Sequence, residues 1–195
     1  MSGYVGDLNE KQARILEKFR DSVADILGPE HDDHYLLRWL RARNFDPKKS
    51  ESMLRNHMTW RKQISADTLL TEWREPEVIQ KYFTGGLFGY DKQGCPIFID
   101  PFGNIDLKGL LRSSKKSDAI LSKACLLEKI HNVVFKEQTK KLGRRVDQCV
   151  VIYDLEKFSM KHLWKPVFKP FNLASEFEGE LAVIGLQRKN LVTVF

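Results

Sequence analysis

One arrangement near the middle of the chain limits the folds open to it. Two short β-rich runs, "PIFID" at 96–100 and "CVVIYD" at 149–154, stand on either side of a long helical pattern. Strands joined through a helix cannot form a hairpin. The connection is a crossover, and the two strands pair in parallel. The segment between them, "SKKSDAILSKACLLEKIHNVVFKEQTKKLG", places Ile120, Ala124, Leu127, His131, Val134 and Gln138 on one helical face, and Gly143 stops it. An apolar strand of this kind is buried on both faces, so the class is α/β.

The run before the crossover has a different texture. "GGLFGYDKQGCPIFID" holds two short apolar stretches around Asp91-Lys92-Gln93-Gly94, the pattern of a hairpin. Pro96 belongs at a strand start or an edge. An antiparallel hairpin continued by a parallel crossover makes the sheet mixed.

Everything upstream reads as helix. "DLNEKQARILEKFRDSVADIL" is amphipathic, with Leu8, Ile15, Phe19, Val23 and Ile26 as its stripe. Asp7 is expected to cap it, with Glu10 completing a capping box. "HYLLRWLRAR" follows with Asp32 or Asp33 as cap. After an "NFDP" turn, Asp46 caps a third helix that has Pro47 in its first turn and runs to Gln63. "ADTLLTEW" and "EPEVIQKYF" add two short helices. Downstream, "LKGLL" is a helical turn, "MKHLWKP" starts another helix, and "ELAVIGL" and "NLVTVF" have strand character.

The bulk chemistry excludes several classes. Cys95, Cys125 and Cys149 are widely spaced and odd in number, which argues against a disulfide framework or a zinc site. No apolar run is long enough for a signal peptide or a spanning helix, so a reducing compartment, cytoplasm or nucleus, is expected. The net charge of +6 and pI near 9.2 suit an anionic surface as well as plain solvation. The basic groups Arg38, Arg41, Arg43 and Lys140, Lys141, Arg144, Arg145 are dispersed among acids. They read as solvated surface rather than a nucleic-acid footprint, with attraction to anionic lipid second.

Asp154, at the end of a buried strand, is the natural candidate for a catalytic carboxylate. Its neighbours Glu156 and His162 form no nucleophile–base motif. A structural Asp, accepting hydrogen bonds from the next turn, fits better. His31 and His34 have the i, i+3 spacing of a metal pair but no third ligand at a telling distance. His131 lies on the core face of its helix and reads as a satisfied buried histidine. The glycines at 85, 86, 89, 94 and 103 match no phosphate-binding fingerprint. The residues therefore suggest no catalytic group, no metal and no cofactor.

Three stretches together carry a resemblance. "DDHYLLRWLRARNFDPKKSESMLRNHMTWRKQ" closely resembles the N-terminal helical element of the CRAL-TRIO lipid-binding family. "GGLFGYDKQGCPIFID" looks like that family's opening hairpin, and "CVVIYDLEKFSMKHLWKP" like its central strand and the helix after it. With "MSGYVGDL" and "KKLGRR", the match is to the tocopherol-associated, supernatant-protein-factor-like carriers, over roughly residues 1 to 167. The resemblance implies an all-helical N-terminal element (residues 1–75), then the first half of a CRAL-TRIO lipid-binding α/β domain (76–167), then a divergent tail (168–195). It implies a cytoplasmic carrier of tocopherol, squalene or phospholipid-class ligands, in transient contact with membranes and without enzyme activity.

Strand parity puts Cys149, Val151 and Tyr153 on one face and Val150, Ile152 and Asp154 on the other. In the family the first face looks into the pocket, as does the position of Phe98, so Phe98, Cys149, Val151 and Tyr153 are the expected ligand-binding residues. Cys149 and Val151 stand where phospholipid carriers of the family place hydroxyls, which favours a more apolar ligand. Two departures stand out. Lys157 occupies a position where the family usually has Gly. After Pro166 the family's later strands and gate helix have no visible counterpart, so the domain is expected to be incomplete. The alternative reading is a truncated product that lacks the gate and acts as an interaction module.

Overall fold

The structure, a computed structural model, describes residues 2–83 and 85–159, and the backbone of 191–194. The expected helix from "MKHLWKP" and the strand character of "ELAVIGL" fall outside those residues.

The helical element begins with α1 (Glu10–Val23), which runs on through one tighter turn at Ala24–Ile26. Asn9, not Asp7, caps it. Its side chain accepts from the Gln12 N–H while Gln12 accepts from the Asn9 N–H, a reciprocal capping box. Asp7 is engaged elsewhere, accepting from the Ser2 amide at 2.6 Å. The next two caps follow the expectation. Asp32 accepts from the Tyr35 N–H at the start of α2 (Asp33–Ala42), and Asp46 from the Lys49 N–H at the start of α3 (Pro47–Gln63). Phe19, Val23, Leu36, Leu37, Trp39, Leu40 and Leu54 from the three helices form a core with essentially no exposed surface. Two short helices follow, α4 (Leu69–Glu72) and α5 (Glu77–Tyr82).

The sheet is mixed and four-stranded. Strands β1 (Gly86–Tyr90) and β2 (Pro96–Asp100) form the antiparallel hairpin, with a bulge between Leu87 and Gly89. Pro96 opens β2, where its missing N–H interrupts no ladder. Strand β3 (Val150–Asp154) pairs in parallel with β2, Phe98 opposite Val151. Strand β4 (Leu191–Val194) pairs in parallel with β3, so the sheet order is β1-β2-β3-β4. The "NLVTVF" run thus supplies a strand beside β3.

The crossover from β2 to β3 passes through α6 (Leu107–Ser113), α7 (Lys116–Lys129), a wide π turn (Ile130–Val134) and α8 (Phe135–Leu142). Gly143 ends α8 at φ 64°, a left-handed conformation that costs glycine little. The π turn bonds the Phe135 N–H to the Ile130 carbonyl, five residues back, and so brings Phe135 round to the face of Ile130. A regular 3.6 period does not anticipate either residue in the core. Beyond the sheet, the loop after β2 closes against the loop after β3. Phe102 and Phe158 stack at 6.0 Å, and a Cβ at Gly103 would lie 2.0 Å from the Glu156 carbonyl oxygen.

Candidate functional site

Phe98, Cys149, Val151 and Tyr153 lie on one face of β2 and β3, as parity requires. The structure brings all four into one apolar cluster with Leu127, Ile130 and Phe135 of the crossover helix and Val146 before β3. Phe98, Cys149 and Val151 are buried, while Tyr153 is half-buried at the margin beside Leu126. Burial pushes the Cys149 thiol up to about 12, so it packs as a small apolar group and not as a nucleophile. It raises the Tyr153 phenol as well, with the Asp100 carboxylate adding to the effect.

Asp100 sits opposite Tyr153 in the β2–β3 ladder and marks the polar end of this face. Its Oδ2 accepts from Lys123 of α7 at 2.6 Å, and the same ammonium lies 4.5 Å from the centre of the Phe83 ring. The wall is therefore apolar along its length and ends in an ion pair.

The carboxylate that first suggested catalysis serves the backbone. Asp154 Oδ1 accepts from the Glu156 N–H at 2.8 Å, which fixes the turn after β3. Three residues after Asp154, Lys157 has φ 68°, the left-handed region in which a glycine is at ease. His162 lies outside the described residues. His31 accepts from the Gly28 N–H at 2.8 Å and stacks on Tyr35, and among the described residues no three potential metal ligands come together.

A second set of residues, hidden from sequence reasoning, joins the helical element to the crossover. Arg38 was expected on a solvated surface. It is only 3% exposed. Its Nη1 lies 2.6 Å from His131 Nε2 and its Nη2 lies 3.7 Å from Asp147. With arginine as the donor, Nε2 of His131 is the acceptor, which leaves the ring proton on Nδ1. Burial, and then the Arg38 charge, pull the His131 pKa down to about 4. Arg145 reaches Asp147 at 3.4 Å and Asp32 at 2.5 Å. Beside this lies a second pair, Arg61 of α3 with the buried Glu128 of α7, to which Asn132 also donates at 3.0 Å. A signal for Arg38 did exist. Apart from Arg38, every residue from 35 to 40 is apolar or aromatic, so that stretch of α2 has no polar side on which an arginine could face water.

Comparison with known proteins agrees with this geometry. The CRAL/TRIO domain model matches residues 80–178, and the CRAL/TRIO N-terminal domain model matches residues 8–56. Among curated relatives, the "Protein real-time" of Aedes aegypti is 36% identical over 168 residues, covering 85% of this chain and 26% of its own length. That of Anopheles gambiae is 35% identical over 170 residues, covering 85% of this chain and 24% of its own. The chain thus spans about a quarter of the length of these relatives. Among solved structures, the crystal structure of Sfh5 shares the fold, with a TM-score of 0.60 at 12% identity, covering 95% of this chain and 80% of that one. The helical element, the hairpin and the parallel crossover are thus accounted for together: the chain belongs to the CRAL/TRIO family, a family of lipid-binding carriers.

Proposed function

We propose that this chain binds a hydrophobic ligand of the tocopherol, squalene or phospholipid class and carries it between membranes from the cytoplasm, without catalysing a reaction. Phe98, Cys149, Val151 and Tyr153 form the ligand-facing wall. One observation carries the reading: these four share one apolar face that turns polar only at its Asp100–Lys123 end, within a fold of lipid carriers. Such a wall needs no reactive group. Burying about ten methylenes at ~0.8 kcal/mol each supplies about 8 kcal/mol, on the order of a micromolar affinity. An apolar lining also discriminates weakly between lipids that differ by a few methylenes, so ligand choice within the class rests on shape and on the polar end of the wall.

The test is a titration of the purified chain with fluorescent tocopherol and phospholipid analogues, paired with melting curves. Micromolar or tighter binding that raises the melting temperature is expected. Tyr153→Ala, at the margin of the cluster, should weaken binding by about tenfold with little change in the ligand-free melting temperature. Failure of every apolar ligand to bind or stabilise the chain overturns the reading.

A further inference from the structure

Strand β1 carries a surface that the ligand wall does not use. The bulge between Leu87 and Gly89 leaves Phe88 without a partner opposite it on β2. A bulge re-aims side chains, and here Phe88 is 76% exposed. Leu87 and Tyr90 on the same strand are also exposed, and so is Leu142 at the end of α8, which meets the hairpin turn at Gly94. Isolated exposed apolar residues are ordinary, but three on one edge strand with a fourth at the helix end beside its turn are not.

The charge around this corner has one dominant sign. Lys141 Nζ stands 6.0 Å from the centre of the Tyr90 ring. Arg144 donates to the Gln93 carbonyl in the hairpin turn. Lys92 and Lys140 are exposed nearby in sequence, on the turn and on α8. Against them stand Asp91, whose Oδ1 is occupied by the Gln93 and Cys95 amides, and Glu137. Aromatic groups beside lysines and an arginine match the boundary of an anionic bilayer, where rings sit at headgroup depth and cations meet lipid phosphates and carboxylates. The same bulge argues against a protein strand as the occupant. Glycines at 86 and 89 and the break in register make β1 a poor template for added pairing.

We propose that the corner formed by Phe88, Tyr90, Leu142, Lys141 and Arg144 is where the protein docks on anionic membranes. The proposal rests on the carrier reading and adds the surface by which the carrier reaches its donor and acceptor bilayers. Docking is electrostatic in approach and apolar in anchoring, and it does not draw on the ligand wall of β2 and β3.

The experiment is sedimentation of the full chain with vesicles of phosphatidylcholine alone or with a third of phosphatidylserine, beside the fluorescent-ligand titration in solution. Wild type should partition onto the anionic vesicles and lose that binding as salt rises. Phe88→Ser should weaken partition by about tenfold, and Lys141→Glu with Lys140→Glu by on the order of a hundredfold at low salt. These residues are exposed, so melting temperature and ligand affinity in solution should not change. Wild-type partition that all these variants retain overturns the proposal while leaving the carrier reading intact. So does wild type that binds ligand but no vesicle. Concentration-dependent dimerisation that Phe88→Ser abolishes, with vesicle binding unaffected, also overturns it and assigns the corner to a second copy of the chain. Loss of ligand binding alone strikes at the carrier reading and not at this surface.

Discussion

The helical element and the sheet contain similar residues and finish them differently. In the first, Phe19, Leu37, Trp39, Leu40 and Leu54 have no exposed surface. In the second, Ile97, Ile99, Val150 and Ile152 are only half-buried. Both sets are strongly apolar. A closed core gains its full transfer free energy on folding, whereas a half-covered strand leaves part of that gain for something that arrives later. The difference separates a core closed within the helical element from a sheet whose second face, opposite the Phe98–Cys149–Val151 wall, is still partly open.

The sharpest way to break this comparison is to weaken each region by the same kind of deletion. Leu37→Ala should cost about 2–5 kcal/mol, because it opens a cavity in a sealed core. Ile152→Ala should cost no more than about 2 kcal/mol, since part of its side chain is already in water. Equal losses in urea melts would erase the distinction. The seam between the regions offers the next largest effect. Glu128→Ala removes the buried partner of Arg61, which keeps Asp67 on its exposed side, and should cost about 1–3 kcal/mol. Glu128→Gln keeps the shape and the Asn132 contact and should cost less.

Acid probes the same seam without mutation. His131 is held at about 4 and His57 at about 3, both below the ordinary 6.5 and both chiefly through burial. His57 lies between Trp39 and Trp60, and besides burial it feels the charge of Arg61. Both rings stay neutral in the folded chain while the unfolded chain takes up protons below pH 6.5. Stability from this source is therefore complete above 6.5 and lost as pH falls toward 4, by about 1.4 kcal/mol per pH unit for each ring. Melts between pH 7.5 and 5 should show that slope, and His131→Gln should roughly halve it. A flat profile would remove histidine burial from the account of the seam. The smallest expected effect is at the other end of the sheet. Lys157→Gly relieves a left-handed lysine and should stabilise by about 0.5 kcal/mol, once the extra freedom of glycine in the unfolded chain is set against it. A melting temperature that falls would show that the lysine stem packs usefully in that turn.

Much of the fold was legible because its signals are local. The caps at Asp32 and Asp46, the hairpin around Asp91 to Gly94, the stop at Gly143 and the parallel pairing of "CVVIYD" each follow from a few neighbouring residues. The first cap was misplaced because Asp7 and Asn9 are both good N-cap residues, and only the contact with Ser2 shows which is engaged elsewhere. The π turn was invisible because a period of 3.6 carries no mark where one residue is added. The seam was missed for a deeper reason. Arg38 meets His131 and Arg61 meets Glu128 across distances in the chain that no window spans. In the candidate site, strand parity alone brought Phe98, Cys149, Val151 and Tyr153 together, while their helical partner Phe135 depends on the π turn.

The close approach at Gly103 has a consequence for how this chain can vary. A methyl group at position 103 would overlap the Glu156 carbonyl oxygen, and backbone cannot swing aside as a long side chain can. Drift that passes freely through exposed surface positions therefore halts at 103, and the loops leaving β2 and β3 can change only in concert. In a random library selected for folding, glycine at 103 should survive almost without exception while neighbouring surface positions diversify. Recovered variants with alanine at 103 should carry compensating changes in residues 155–158.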